Sequence, residues 1–164
     1  MRKGEVQIYT GDGKGKTTAA FGLCLRALGR GHRVRVVQFL KAERCGEHIA
    51  AEKIGLPVMQ CPMGRKSGPC AHPCPLFTEA RRVLEENAAD LLVLDELMAA
   101  IRHGCVSLDE ALSLLDIRPG NTEIVMTGRR APRELVERAG LVTTMEKTKH
   151  FFDAGVPARE GIEY

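Results

Sequence analysis

Apolar residues along this chain fall into two alternating rhythms, short continuous runs and stretches that repeat every three to four positions. The runs Glu5–Tyr9, Arg33–Phe39, Val58–Cys61, Leu91–Leu94, Glu123–Met126 and Leu141–Met145 have the length and the Val/Ile/Leu content of buried parallel strands. Helical spacing predicts helices over Thr17–Leu28, Glu47–Lys53, Leu76–Ala88 and Pro132–Ala139. The first of these places Phe21, Leu25 and Leu28 on one face and stops at Gly29 and Gly31. Ser107-Leu108-Asp109-Glu110 reads as a capping box opening another helix, and Pro132 suits a first helical position. Strand and helix in alternation predict an α/β fold, a three-layer sandwich. Its mostly parallel sheet has about six strands, with helices on both faces. With no repeat, low-complexity stretch or linker, one domain is expected over residues 1–164. The exception to the rhythm is a Pro-, Gly- and Cys-rich loop, about residues 61–75.

Candidate chemistry begins where the first strand ends. Thr10-Gly11-Asp12-Gly13-Lys14-Gly15-Lys16-Thr17-Thr18 is a glycine-rich turn between a strand and a helix, the arrangement that cradles nucleotide phosphates. Gly11, Gly13 and Gly15 open backbone conformations closed to other residues and bring bare N–H groups against phosphate oxygens. The helix start adds free donors and the positive end of its dipole. Lys16 supplies a full charge and the Thr17 hydroxyl a ligand for Mg²⁺. The usual pattern has Gly where Thr10 stands, so the loop is a variant P-loop and the expected sandwich is P-loop NTPase-like. In open α/β sheets the ligand sits outside the carboxyl ends of the strands. That rule predicts one site from this loop, the turn after Phe39, Asp95-Glu96 and Thr127-Gly128-Arg129. Glu96 is expected to join Thr17 in holding Mg²⁺, and Arg129 to neutralise charge on the phosphates. A solvated helix start is the plain alternative for Asp95-Glu96.

Composition narrows the class. The net charge of +3 is too small to argue for nucleic acid, and Arg130 and Arg133 beside Arg129 read equally as an anion site or a solvated basic face. No apolar run approaches the roughly 20 residues of a membrane span. The first strand follows Met1-Arg2-Lys3-Gly4 directly, so no secretory signal is expected. Six cysteines without an export signal predict a reducing, cytoplasmic setting, with thiols free or metal-bound rather than paired. Cys24 and Cys105 read as small core residues.

Taken together, the motifs resemble those of the corrinoid adenosyltransferases. The likeness is carried by Thr10–Gly22, Val37–Lys41, Leu92–Leu97 and Val125–Arg129, in that order, and by the tail within residues 147–164, from Lys149-His150-Phe151-Phe152-Asp153-Ala154-Gly155 to Gly161-Ile162-Glu163-Tyr164. The resemblance implies transfer of the 5′-deoxyadenosyl group of ATP to Co(I) of a corrinoid, with triphosphate as leaving group, in a homodimer. A flavoprotein or other reductant would supply the cobalt's electrons. Catalysis would rest on Lys16, Glu96 and Arg129. Nucleotide binding would involve Gly11, Asp12, Gly13, Lys14, Gly15, Lys16, Thr17, Thr18 and Arg129. Cobalt is an unprotonated nucleophile, so no general base is required.

One region departs from that family. Where its members carry a Gly-Glu-Gly-Phe-Thr-Trp-like stretch that helps strip the lower ligand from cobalt, this chain has Met63–Pro75 and no Trp anywhere. Phe77 and Met63 are the apolar candidates there, with core packing as their ordinary role. Cys70 and Cys74 are spaced like metal ligands, with Cys61 nearby and Cys45 or His72 to complete a zinc or iron set; unpaired thiols are the alternative. Two other functions remain open at this point. One is a P-loop ATPase or kinase making ADP. The other is a non-catalytic nucleotide-gated module whose Cys-rich loop meets a metal or partner.

Overall fold

The computed structural model describes residues 3–62 and 70–164. Strands β1 (Val6–Thr10), β2 (Val34–Gln38), β3 (Val58–Gln60), β4 (Leu91–Asp95), β5 (Glu123–Thr127) and β6 (Leu141–Thr144) join one sheet in the order β3-β2-β4-β5-β1-β6. Every neighbouring pair is parallel. Each crossover carries a helix or a long return, as parallel pairing requires. The helices are α1 (Lys16–Leu28), α2 (Gly46–Lys53), α3 (Pro75–Glu85), α4 (Leu97–Arg102), α5 (Leu108–Asp116) and α6 (Arg133–Arg138). A short 3₁₀ turn, Phe151–Ala154, lies in the tail.

Side-chain alternation splits the core into two layers. Leu92, Leu94, Ile124 and Met126 face a cluster built with Leu76, Phe77, Ala80, Leu97, Leu114 and Leu135. Leu91, Val93, Val125, Val34 and Val36 face the other way, against Ala20, Cys24, Ala51 and Leu56. Helices therefore cover both faces, giving the expected sandwich. Burying each large side chain of this kind contributes about 1.5–3 kcal/mol. No helix among the described residues is long and apolar enough to cross a membrane.

Three local expectations are corrected. The buried stripe of α1 is Lys16, Ala20 and Cys24, while Leu25 is 59% exposed. Lys16 sets the rotational phase of this helix, and the i, i+4 stripe that continues from it carries small residues that let α1 lie close to the sheet. Helix α4, to which no element had been assigned, is an apolar turn whose Leu97–Ala100 are all buried. Pro132 is the N-cap of α6 rather than its first residue. The capping box is formed: Glu110 N donates to Ser107 Oγ at 3.1 Å and Ser107 N to Glu110 Oε2 at 2.6 Å. Phe77 belongs to the core, and Met63 lies outside the described residues.

Candidate nucleotide site

The carboxyl ends of β1, β2, β4 and β5 meet over one cleft of ≈ 570 Å³. The glycine-rich loop and the start of α1 supply Gly13 to Thr18, the residue after β4 is Glu96, and the turn after β5 supplies Arg129. Gly11 and Asp12 are not part of this lining; Asp12 is exposed and faces Arg129, with 3.7 Å between carboxylate and guanidinium. A second, smaller cleft of ≈ 230 Å³ lies at the opposite end of the sheet, beside Gly4 and Asn121. It contains none of the phosphate-loop residues.

The loop is shaped by close backbone approach. Gly11 sits at φ +100, and a Cβ there would stand 2.3 Å from the Met145 carbonyl oxygen. Gly13 N donates to that same oxygen at 2.7 Å, so the strand following α6 pins the loop. At the tip of β5, Gly128 (φ +143) lets the chain pass Met98, whose Cβ would lie 2.7 Å from an added Cβ. Lys16 is 9% exposed, and its Nζ donates to Gly11 O at 2.8 Å and Gly13 O at 2.6 Å. Burial, then the neighbouring Arg129, pulls its pKa below the usual lysine value, with Glu96, Asp12 and Asp95 acting the other way.

The acid that touches Thr17 is Asp95, not Glu96. Thr17 Oγ1 donates to Asp95 Oδ1 at 3.0 Å, with Oδ2 at 3.2 Å. Thr127 Oγ1 donates to Oδ1 at 2.6 Å and Gln38 Nε2 to Oδ2 at 2.9 Å. Asp95 is fully buried, and these three donors satisfy its carboxylate. Because the Thr17 proton is spent on Asp95, the hydroxyl's lone pairs are left for a cation. Glu96 follows at φ +59 and lines the cleft, while its backbone N–H donates to Thr127 Oγ1 at 3.0 Å. Thr17 and Glu96 thus line the cleft with oxygen, with Asp95 directly behind Thr17, and oxygen ligands of this kind are those that could hold Mg²⁺.

The tail closes one side of the cleft. Lys14 Nζ donates to Glu163 Oε1 at 2.8 Å and to Ile162 O at 3.2 Å. Arg159, then Lys14, hold the Glu163 carboxyl down to about 2. Asp95 and Thr127 fall in segments expected at the site but had been given no individual role, and Gln38 and Glu163 had not been singled out as site residues from sequence. Arg130 and Arg133 do not line the cleft, and Arg133 pairs with Glu137 at 2.7 Å.

The cysteines arrange themselves otherwise than expected. Cys70 is joined to Cys105 by a disulfide, with Cα atoms 5.0 Å apart, where the chain re-enters the core before α3 beside the buried turn after α4. This corrects the expectation of unpaired thiols and takes Cys70 out of the expected set with Cys61 and Cys74. Among the described residues, the ligand-bearing side chains that do converge are Cys45, Glu47 and His48. The Lys41 ammonium already pairs with Glu47, and both His48 ring nitrogens are engaged. That cluster is therefore already satisfied without an ion. Residues 63–69 of the loop that replaces the family's aromatic stretch lie outside the described residues.

A parallel sheet, a glycine-rich loop opening onto α1, Lys16 and Thr17 at the helix start and two acids at the tip of β4 define a protein of the P-loop-like α/β class. Residues 2–164 match the family described as ATP:corrinoid adenosyltransferase BtuR/CobO/CobP. The chain belongs to this family, a family of transferases. It is 36% identical to corrinoid adenosyltransferase CobA of Salmonella typhimurium, over 99% of this chain and 86% of that protein. It is 37% identical to corrinoid adenosyltransferase of Escherichia coli, over 99% and 86%. With corrinoid adenosyltransferase of Pseudomonas aeruginosa the figure is 36%, over 99% and 84%.

Proposed function

We propose that this chain transfers the 5′-deoxyadenosyl group of ATP to the Co(I) centre of a corrinoid and releases inorganic triphosphate. The observation that carries the reading is the convergence of Lys16, Thr17, Glu96 and Arg129 on one cleft, with buried Asp95 bonded to Thr17, in a chain that matches this family over nearly its whole length. Family membership speaks for transfer rather than for hydrolysis, phosphorylation or a non-catalytic role.

In the proposed reaction the electron pair of Co(I) forms the Co–C5′ bond. The C5′–O bond breaks, and its pair leaves with the triphosphate, the cobalt becoming formally Co(III). No proton is transferred, so the protein's task is to hold the 5′ carbon in line and stabilise a polyanion. Lys16, the N–H groups of Gly13 to Thr18 and Arg129 bind the triphosphate. Thr17, Asp95 and Glu96 would hold Mg²⁺, which when bound screens phosphate charge. The reductant that delivers Co(I) is a flavoprotein or other electron donor, and the working form is a cytoplasmic homodimer of single-domain chains.

The test combines the protein with ATP, Mg²⁺ and chemically reduced cob(I)alamin. A light-sensitive adenosyl–cobalt product and stoichiometric triphosphate support the reading. ADP and phosphate as the main products, with no corrinoid-dependent triphosphate, overturn it in favour of an ATPase.

A further inference from the structure

Behind Asp95 runs a chain of buried hydrogen bonds whose directions are all determined. Gln38 and Asp95 are 0% exposed and His48 5%, and they sit on β2, β4 and α2. Gln38 Nε2 donates to the Asp95 carboxylate, which accepts only, so the other end of the amide is the oxygen. That oxygen lies 2.6 Å from His48 Nε2, which must therefore carry the ring proton. His48 Nδ1 is then the acceptor, and it takes the Cys45 backbone N–H at 2.8 Å. Cys45 is the N-cap of α2, and the next two residues, Gly46 and Glu47, line the nucleotide cleft. No buried side-chain nitrogen or oxygen among the described residues lacks a partner, so the chain has no slack in it.

We infer that His48 is a positioning residue of the nucleotide site: through Gln38 it holds the Asp95 carboxylate in the orientation that turns the Thr17 lone pairs toward the bound cation. The inference rests on the proposed reading of Thr17, Asp95 and Glu96 as the Mg²⁺·ATP site. Two features make it specific to this geometry. A buried amide that loses the donor on its oxygen is left unsatisfied and free to rotate, and Asp95 then loses its one fixed N–H donor. Of its other two partners, the Thr17 hydroxyl is a rotor that follows the carboxylate, and the Thr127 hydroxyl, held in turn by the Glu96 N–H at 3.0 Å, bonds Oδ1, so Gln38 supplies the fixed N–H on Oδ2. His48 also anchors the start of α2, and that purely structural task uses the other ring nitrogen. The two tasks can therefore be separated by substitution.

His48→Gln keeps an N–H near the Nε2 position and gives up the acceptor for Cys45 N. His48→Asn keeps an acceptor near the Nδ1 position and gives up the donor to Gln38. Both variants and the wild type are checked for folding by circular dichroism. Mg²⁺ affinity is then read by titrating Mg²⁺ against a fluorescent ATP analogue bound to the full chain, without turnover. The expected result is a loss of about tenfold or more in apparent Mg²⁺ affinity for His48→Asn and a change within about twofold for His48→Gln. Gln38→Met, which breaks the chain one link nearer Asp95, should match or exceed the His48→Asn loss and serves in its place if that variant does not fold. The reverse ranking, or equal Mg²⁺ affinity in all folded variants, overturns the inference while leaving the nucleotide reading intact. A wild type that binds the analogue without any Mg²⁺ dependence overturns both.

Discussion

Asp95→Asn changes one atom and removes one charge, and the surroundings decide what that does. Three donors converge on the carboxylate: the Thr17 and Thr127 hydroxyls on Oδ1 and the Gln38 amide on Oδ2. An asparagine offers one oxygen and one NH₂ group, so one side must turn a donor toward a donor. If the NH₂ faces Gln38, that amide must flip, and its NH₂ then meets the proton on His48 Nε2. Hydroxyls rotate more cheaply, so the NH₂ is expected on the Oδ1 side. Thr17 would then accept from it and turn its own proton into the cleft, where Mg²⁺ is proposed to bind. A hydrogen bond to a charged group is worth about 1.5–3 kcal/mol, which as lost affinity is on the order of 10–150-fold. The fold itself should survive, because the same substitution also removes the cost of burying an ion. Mg²⁺ titration of ATP-analogue binding reads the first effect and a denaturant melt the second. Wild-type Mg²⁺ affinity in a folded Asp95→Asn protein would refute the assignment of Asp95 to the cation site.

Other expectations follow from the same geometry. Lys16→Ala should lower turnover by about 3–4 kcal/mol of barrier, a few hundredfold, with little change in the melting temperature; near-normal ATP turnover would remove Lys16 from the site. In thiol titrations the denatured, non-reduced protein should show four reactive groups and the reduced protein six. In the folded state Cys24, fully buried and pushed up by burial to about 12, should react last, and early labelling of it would contradict its place under α1. Burial lowers the His48 pKa from 6.5, with Glu47 opposing and Lys41 and Arg44 reinforcing the shift. The unfolded chain then binds the proton more readily, so this contribution to stability is full above 6.5 and is lost as pH falls through the folded value. The wild type should accordingly lose stability faster than His48→Gln on acidification, and parallel melts of the two would count against a buried neutral His48.

Most of the framework was legible because buried parallel strands and a glycine-rich turn leave strong local patterns. The Leu91–Leu94 run could only be β4, and Ser107 to Glu110 could only begin a helix. Which of the two acids bonds to Thr17 was not legible, because adjacent acids are equivalent until the strand has faces. Parity resolves it. Leu91 and Val93 pack on the α1 side, so Asp95, two residues further, points at Thr17. The same parity carries Val34 and Val36 on to Gln38, and Val125 on to Thr127. Three strands therefore end in polar residues on the face that meets the start of α1. By contrast, nothing local marked α4. Its apolar run, Leu97 to Ala100, is buried all round and is made helical by the turn that Glu96 initiates at positive φ. The Cys70–Cys105 pairing spans 35 residues and joins two segments whose proximity only the folded sheet creates.

Lys16 ties the shape of the loop to its proposed binding of phosphate. Its ammonium is bonded to the carbonyls of Gly11 and Gly13, so the loop keeps its curvature without help from a ligand. Gly13 is in turn tied to Met145, and Gly11 is packed against it, so the strand tips hold the same curve from outside. Phosphate oxygens would then compete for an ammonium that is already desolvated and already aimed along the loop. Little ordering entropy remains to be lost on binding, which is the energetic advantage of preorganisation. The cost is that each bond to phosphate replaces one to a carbonyl, so ground-state affinity is modest relative to the number of donors. In the proposed transition state, charge builds on the departing triphosphate oxygen, and a charged donor responds to that increase more than a neutral carbonyl can compete with it. A loop that binds its own lysine at rest thereby concentrates its stabilisation at the moment the C5′–O bond breaks.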